Sequence, residues 1–209
     1  MKGETEVAHQ ARAVAHPDTS TGLSNAKLGM WAFLASECLL FGALISTYLL
    51  YRNRRQPGTP GQEIFDIPFT SVSSFVLLMS SLTMVLALAA IQRGDHPKLR
   101  VWLMATALLG MTFISGQVYE FTRFIQEGLT LKTNLFGTTF FVLTGFHGVH
   151  VSGGILMLLS LFGMSLDGRL PTERAEAVEL VGLYWHFVDV VWIVIFTVVY
   201  LIPVGAPGT

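Results

Sequence analysis

Two apolar runs near the end of the chain each hold groups that hydrocarbon penalises. One reads TGFHGVHV and carries His147 and His150; the other reads YWHFVDVVW and carries His186 and Asp189. Each run lies in a stretch long enough to cross a bilayer. An ionisable side chain at that depth costs several kcal/mol unless it is paired or hydrated, so it points to function by default. The rest of the chain agrees with a membrane setting. Only 13% of its 209 residues are charged, against 52% hydrophobic, whereas a soluble domain carries about 25% charge. A net charge of −1 gives no electrostatic case for nucleic acid or acidic substrates. The single cysteine, Cys38, excludes an internal disulfide framework and any cysteine-based cluster. Within its apolar run it reads as a buried, inert thiol.

Five stretches reach the roughly 20 apolar residues that span about 30 Å of hydrocarbon. They are 27–51, 70–92, 101–126, 135–163 and 177–202. All five are expected to be helices, because a helix satisfies its own backbone groups in lipid. Turn residues fill the breaks: Pro57-Gly58 and Pro60-Gly61, Gly94 to Pro97, Gly128 to Asn134, Gly168 to Pro171, and Pro203 after the last span. The organisation is a polar tail over 1–26, a five-helix transmembrane domain over 27–203, and a short tail over 204–209. Residues 1–26 lack the apolar core of a signal peptide. No internal repeat and no second domain are visible.

Lysine and arginine set orientation. The side of the N-terminal tail holds Lys2, Arg12, Lys27, Arg93, Lys98, Arg100, Arg169 and Arg174; the other holds Arg52, Arg54, Arg55, Arg123 and Lys132. The excess places the N-terminus inside and the C-terminus outside, although Arg52, Arg54 and Arg55 oppose it. With a rise of about 1.5 Å per residue, Glu37, His150, His186 and Asp189 fall about 14 to 18 Å from the inner helix ends, and His147 about 23 Å. Three helices thus place these groups in one band. An interhelical polar cluster or a lined cavity explains that agreement better than lone groups facing lipid.

Spacing adds detail. His147 and His150, three apart, share a face, and His186 and Asp189 can bond within their helix. Gly145, Gly148 and Ser152 form a small-residue stripe suited to close backbone approach. Each group also has a packing reading: Glu37 as a protonated carboxyl bonded to a neighbour, the histidines as neutral links between helices, and Glu120 with Arg123 as a snorkelling surface pair. Tyr184, Trp185 and Trp192 read as packing or lipid contacts. His147, His150 and His186 would also make a three-histidine metal site, and histidines on two helices would ligate a haem. The di-iron carboxylate–histidine repeat and a Cys-x-x-Cys-His attachment site are both lacking. The preferred expectation is no metal and no haem on this chain.

At these strings the chain resembles subunit III of the haem-copper respiratory oxidases. ASECLLF resembles the family segment with the membrane carboxylate, here Glu37. GQVYEF is similar to a Gln-x-x-Glu-Tyr region, with Glu120 matching and Phe121 departing from it. NLFGTTFFVLTGFHGVHVSGG and YWHFVDVVWIVIF are close to the family signature, and the likeness covers roughly 25–203. Long forms have seven spans; five resemble the bacterial short form found in cytochrome c and quinol oxidases. The resemblance implies a non-redox subunit in a bacterial plasma membrane. Its partners would be subunits I and II, with haem and copper in the catalytic subunit. It also implies phospholipids in a cleft near Glu37 and His150, and a role in proton uptake and turnover stability. The missing helices would remove one wall of that cleft. Three other readings stand beside it: a membrane haem-binding electron carrier, a transporter with a midplane polar site, and an accessory subunit of a nitric oxide reductase.

Overall fold

The computed structural model describes residues 22–53 and 62–202. Among these residues the regular structure is all helical. The helices are α1 (Asn25–Tyr51), α2 (Ile67–Gln92), α3 (His96–Gln126), α4 (Leu135–Leu166) and α5 (Ala175–Phe196). A wider π-turn, Thr197–Leu201, prolongs α5, and single 3-10 turns sit at Gln62–Ile64 and Thr172–Arg174. All five helices are long and apolar enough to cross a membrane, the last counted over Thr172–Leu201.

Helices α1 to α4 begin where a side chain accepts from a free N–H group of the first turn. Ser24, Asp66, Asp95 and Asn134 accept from the amides of Lys27, Phe69, Lys98 and Gly137. Pro68 and Pro97 occupy first-turn positions, where proline loses no hydrogen bond. For this reason α2 and α3 start earlier than the spans at 70 and 101, and Pro97 lies inside a helix. The last turns close through left-handed glycines. Gly94 has φ 71° and Gly168 φ 69°, and the next amides reach back to Ala90 and Met164. The turn chemistry read at Pro57 to Gly61 and at Pro203 lies outside the described residues, as does most of the polar tail.

Four helices form a closed ring: α2 packs on α3, α3 on α4, α4 on α5 and α5 on α2. The α1 helix lies outside it, on α4 and α5, and buries only Leu34, Phe41 and Tyr48. These are seven apart, the seam of a helix touching its neighbours along one stripe. Cys38 is exposed. It falls off that stripe, so the buried thiol expected from the apolar run is corrected.

One end of the ring is filled by aromatic rings. Phe65 contacts Phe124, Phe136, Phe140 and Tyr200 at centroid distances of 5.1, 6.1, 5.0 and 4.9 Å. Gln62 Nε2 donates to the carbonyls of Val199 and Ile202 at 2.7 and 3.1 Å, satisfying the end of α5. Trp185 fills the middle. It is fully buried, and a Cβ on Gly110 or Gly154 would meet its ring at 2.6 or 2.7 Å. Close approach therefore depends on Gly110 and Gly154. The Gly145, Gly148 and Ser152 stripe does not bring two backbones together. Gly145 faces open space, and Gly148 makes room for the Gln117 side chain.

Candidate functional site: intramembrane polar contacts

The six residues singled out from sequence form four separate contacts. The first joins α1 to α4. His150 Nε2 lies 3.1 Å from Glu37 Oε2, and both side chains are mostly buried, at 15% and 14% exposure. His150 Nδ1 lies 2.7 Å from the Phe146 carbonyl. A carbonyl only accepts, so Nδ1 carries a proton. The contact to Glu37 then needs one further proton, on the imidazole or on the carboxyl. In both states the pair has zero net charge, which suits an apolar surround. Neighbours fix the ring. Phe41 meets it edge-on at 5.0 Å, and the Tyr184 hydroxyl donates to the His150 carbonyl at 2.9 Å. Phe33 stacks on Tyr184 at 6.2 Å.

The second contact is His147, which is fully buried. Its Nε2 lies 3.3 Å from the Val188 carbonyl on α5, and the ring packs against Phe113 and Trp192 at 5.8 and 4.8 Å. His147 and His150 therefore serve different interfaces: one faces the ring interior, the other α1.

The third contact corrects the expected bond between His186 and Asp189. Ser81 of α2 stands between them. Its hydroxyl lies 3.0 Å from His186 Nδ1 and donates to Asp189 Oδ2. Asp189 is buried, and its Oδ1 has no protein partner. The same seam holds the indole N–H groups of Trp185 and Trp192, which donate to Ser80 Oγ and Ser74 Oγ at 2.9 and 2.8 Å. The tryptophans pack as expected and also bond, and the serines are the partners that the sequence reading missed.

The fourth contact is Glu120, and it too corrects an expectation. It is buried at 5% exposure and accepts from the Thr70 hydroxyl of α2. Arg123 does not pair with it. Its Nε donates to Glu127 at 3.0 Å and its Nη1 to Asp66 at 3.2 Å.

Among the described residues, no three His, Cys, Asp or Glu side chains converge as a metal-holding group. His147, His150 and His186 face α5, α1 and α2 respectively. Each of the four contacts ties one helix to another.

Residues 9–204 match the family described as cytochrome c oxidase subunit III. Cytochrome c oxidase subunit 3 of Bacillus sp. (strain PS3) is 39% identical, over 85% of this chain and 86% of that protein. A probable quinol oxidase subunit 3 of Staphylococcus saprophyticus is 39% identical over 84% of this chain and 88% of its own length. Cytochrome c oxidase subunit 3 of Thermostichus vulcanus is 36% identical and aligns over 97% of this chain and 98% of its own. With a match spanning every described residue and all four contacts, the chain belongs to the cytochrome c oxidase subunit III family, as a multi-pass membrane protein.

Proposed function

We propose that this chain is the non-redox accessory subunit of a haem-copper terminal oxidase in a bacterial plasma membrane, packed against subunit I beside subunit II. Haem and copper belong to the catalytic partner, which performs oxygen reduction; this chain supports proton uptake and the durability of turnover. The neutral Glu37–His150 pair carries the reading. It fixes α1 to the ring at membrane depth and leaves a small part of each side chain open. A phospholipid headgroup or its glycerol backbone meets the pair there, and its acyl chains follow Phe33, which is exposed. Phe41 is buried against His150 and is unavailable to them. The N-terminus lies inside and the C-terminus outside, an orientation that the excess of lysine and arginine on the N-terminal side supports.

The test uses the purified oxidase. Glu37→Ala with His150→Ala should lower tightly bound phospholipid, measured by mass spectrometry, and shorten the period of steady turnover, while the initial rate falls much less. Glu37→Gln should preserve assembly and initial rate, because a carboxamide donates to His150 Nε2. Unchanged lipid content and lifetime in the double variant would reduce the pair to helix packing.

A further inference from the structure

Asp189 is buried in the α2–α5 seam at 3% exposure, and its Oδ1 meets no protein donor. No lysine or arginine among the described residues pairs with it. The neighbouring indole N–H groups of Trp185 and Trp192 are taken by Ser80 and Ser74. Leu78 and Leu82, on either side of Ser81 in α2, and Val190, next to Asp189, are exposed apolar side chains, so the setting is hydrocarbon. A lone carboxylate here, with one oxygen unanswered, is heavily penalised. The one basic group in reach is His186, and it meets the carboxyl only through Ser81. Ser81 Oγ lies 3.0 Å from His186 Nδ1 and is bonded to Asp189 Oδ2.

Proton counting limits the states of this triad. A hydroxyl has one proton, so Ser81 donates to one neighbour and accepts from the other. When Ser81 donates to an ionised Asp189, His186 Nδ1–H donates to Ser81. That arrangement is neutral overall when His186 is an imidazolium. When Asp189 is protonated and donates to Ser81, Ser81 donates to a bare Nδ1. That arrangement is neutral when His186 is a neutral imidazole. In both, Nε2 carries a proton. The remaining state, an ionised Asp189 with a neutral imidazole, has a bare Nε2 and leaves a net charge in apolar surroundings, which is the costly outcome. The two neutral arrangements hold the same protons. As the Nδ1 proton passes to Ser81 Oγ, the Ser81 proton passes to Asp189 Oδ2, and the charges on imidazolium and carboxylate cancel.

We propose that His186, Ser81 and Asp189 form a proton relay, in which one proton is exchanged between imidazole and carboxyl through the Ser81 hydroxyl while the triad stays neutral. The relay moves its proton about 4.5 Å along α5, the rise of three residues. It runs from the half-buried His186 to a carboxyl closed inside the seam, so it stores a proton within the membrane and does not pass one across. The Glu37–His150 pair differs, because its two groups meet directly. Here α2 supplies the link, and removal of one hydroxyl severs it. The relay belongs to this chain alone and does not depend on its partners.

The experiment uses the full chain in lipid bilayers, with isotope-labelled histidine. Solid-state nuclear magnetic resonance reads the protonation of each ring nitrogen, and His186→Gln assigns the signals by removing them. Infrared spectroscopy reads the stretch of a protonated carboxyl, assigned by its loss in Asp189→Asn. His186 Nε2 should be protonated throughout. As temperature shifts the balance, loss of the Nδ1–H signal should be matched by an equal gain of the Asp189 carboxyl band. Ser81→Ala should abolish this matched exchange, and Ser81→Thr should retain it. A bare Nε2 would show a net-negative triad. A proton that stays on one partner at every temperature would leave only a fixed hydrogen-bonded joint. Matched exchange that survives in Ser81→Ala would bypass the serine. Each of these three results overturns the relay.

Discussion

Ser81 organises the α2–α5 seam, and nothing in its sequence setting marks it. A serine within a span usually returns its hydroxyl to its own helix, as Ser71 does to Ile67 and Ser115 to Met111. Only the three-dimensional placement of α5 turns Ser81 toward Asp189 instead. Asp189 and His186 stood out in the sequence by hydrophobic context alone; the serine that joins them did not. Glu120 failed in the opposite way. Its spacing from Arg123 suggested a local pair, but Asp66, from the start of another helix, and Glu127, one turn on, hold Arg123. Ser81→Ala should destabilise the chain by about 1–3 kcal/mol, because it strips a buried carboxyl of its partner. Thermal unfolding in mild detergent checks this. Ser81→Thr keeps the hydroxyl and should lose much less.

At the scale of helices, the spans were legible to within a few residues because a 3.6-residue period is unnecessary when lipid dictates apolarity all round. Helix starts were less legible, since Asp66 and Asp95 extend α2 and α3 through polar and proline-bearing turns. Asp95 is held below the usual carboxylate range by hydrogen bonds from the Lys98 side chain and backbone. A depressed carboxyl contributes above its ordinary pKa and loses its effect as pH falls through the lowered value. Capping of α3 should therefore be constant across neutral pH and weaken only in acid; Asp95→Asn, which keeps a capping oxygen, should flatten that acid limb of a stability profile. The glycines invert the sequence expectation more sharply. Gly154→Ala places a Cβ 2.7 Å from the Trp185 ring and should cost about 1–3 kcal/mol through overpacking. Gly145→Ala meets nothing within 4 Å and should be neutral or slightly stabilising, as alanine favours helix. Detergent melting of the two variants side by side separates a packing glycine from a bystander.

Across the whole molecule, α1 is the least embedded span. Its hold on the ring combines the Leu34, Phe41 and Tyr48 stripe and the Glu37–His150 pair with polar ties at the Ser24 end, where Lys27 meets Glu179 at 2.9 Å and Ser24 donates to Glu176. The apolar stripe should dominate. Phe41→Ala should cost about 3–5 kcal/mol. Charge reversal at Lys27 should cost no more than about 1 kcal/mol, since partly exposed ion pairs contribute little, and Glu179→Lys should recover it. Unfolding midpoints of the three variants rank the contributions. The division of the ionisable groups among separate interfaces was not legible from sequence. Depth along a helix follows from residue count, but the facing direction depends on which neighbour each helix meets.

The neutrality of the Glu37–His150 pair has an electrical consequence. A single charge held midway across an energised bilayer feels about half of the roughly 2.3 kcal/mol that 100 mV exerts on an elementary charge. The pair presents no net charge wherever its shared proton rests, and its two atoms are only 3.1 Å apart. The membrane voltage therefore acts on it as a short dipole, with a small fraction of that work. The joint between α1 and the ring keeps its strength whether the membrane is at rest or fully charged.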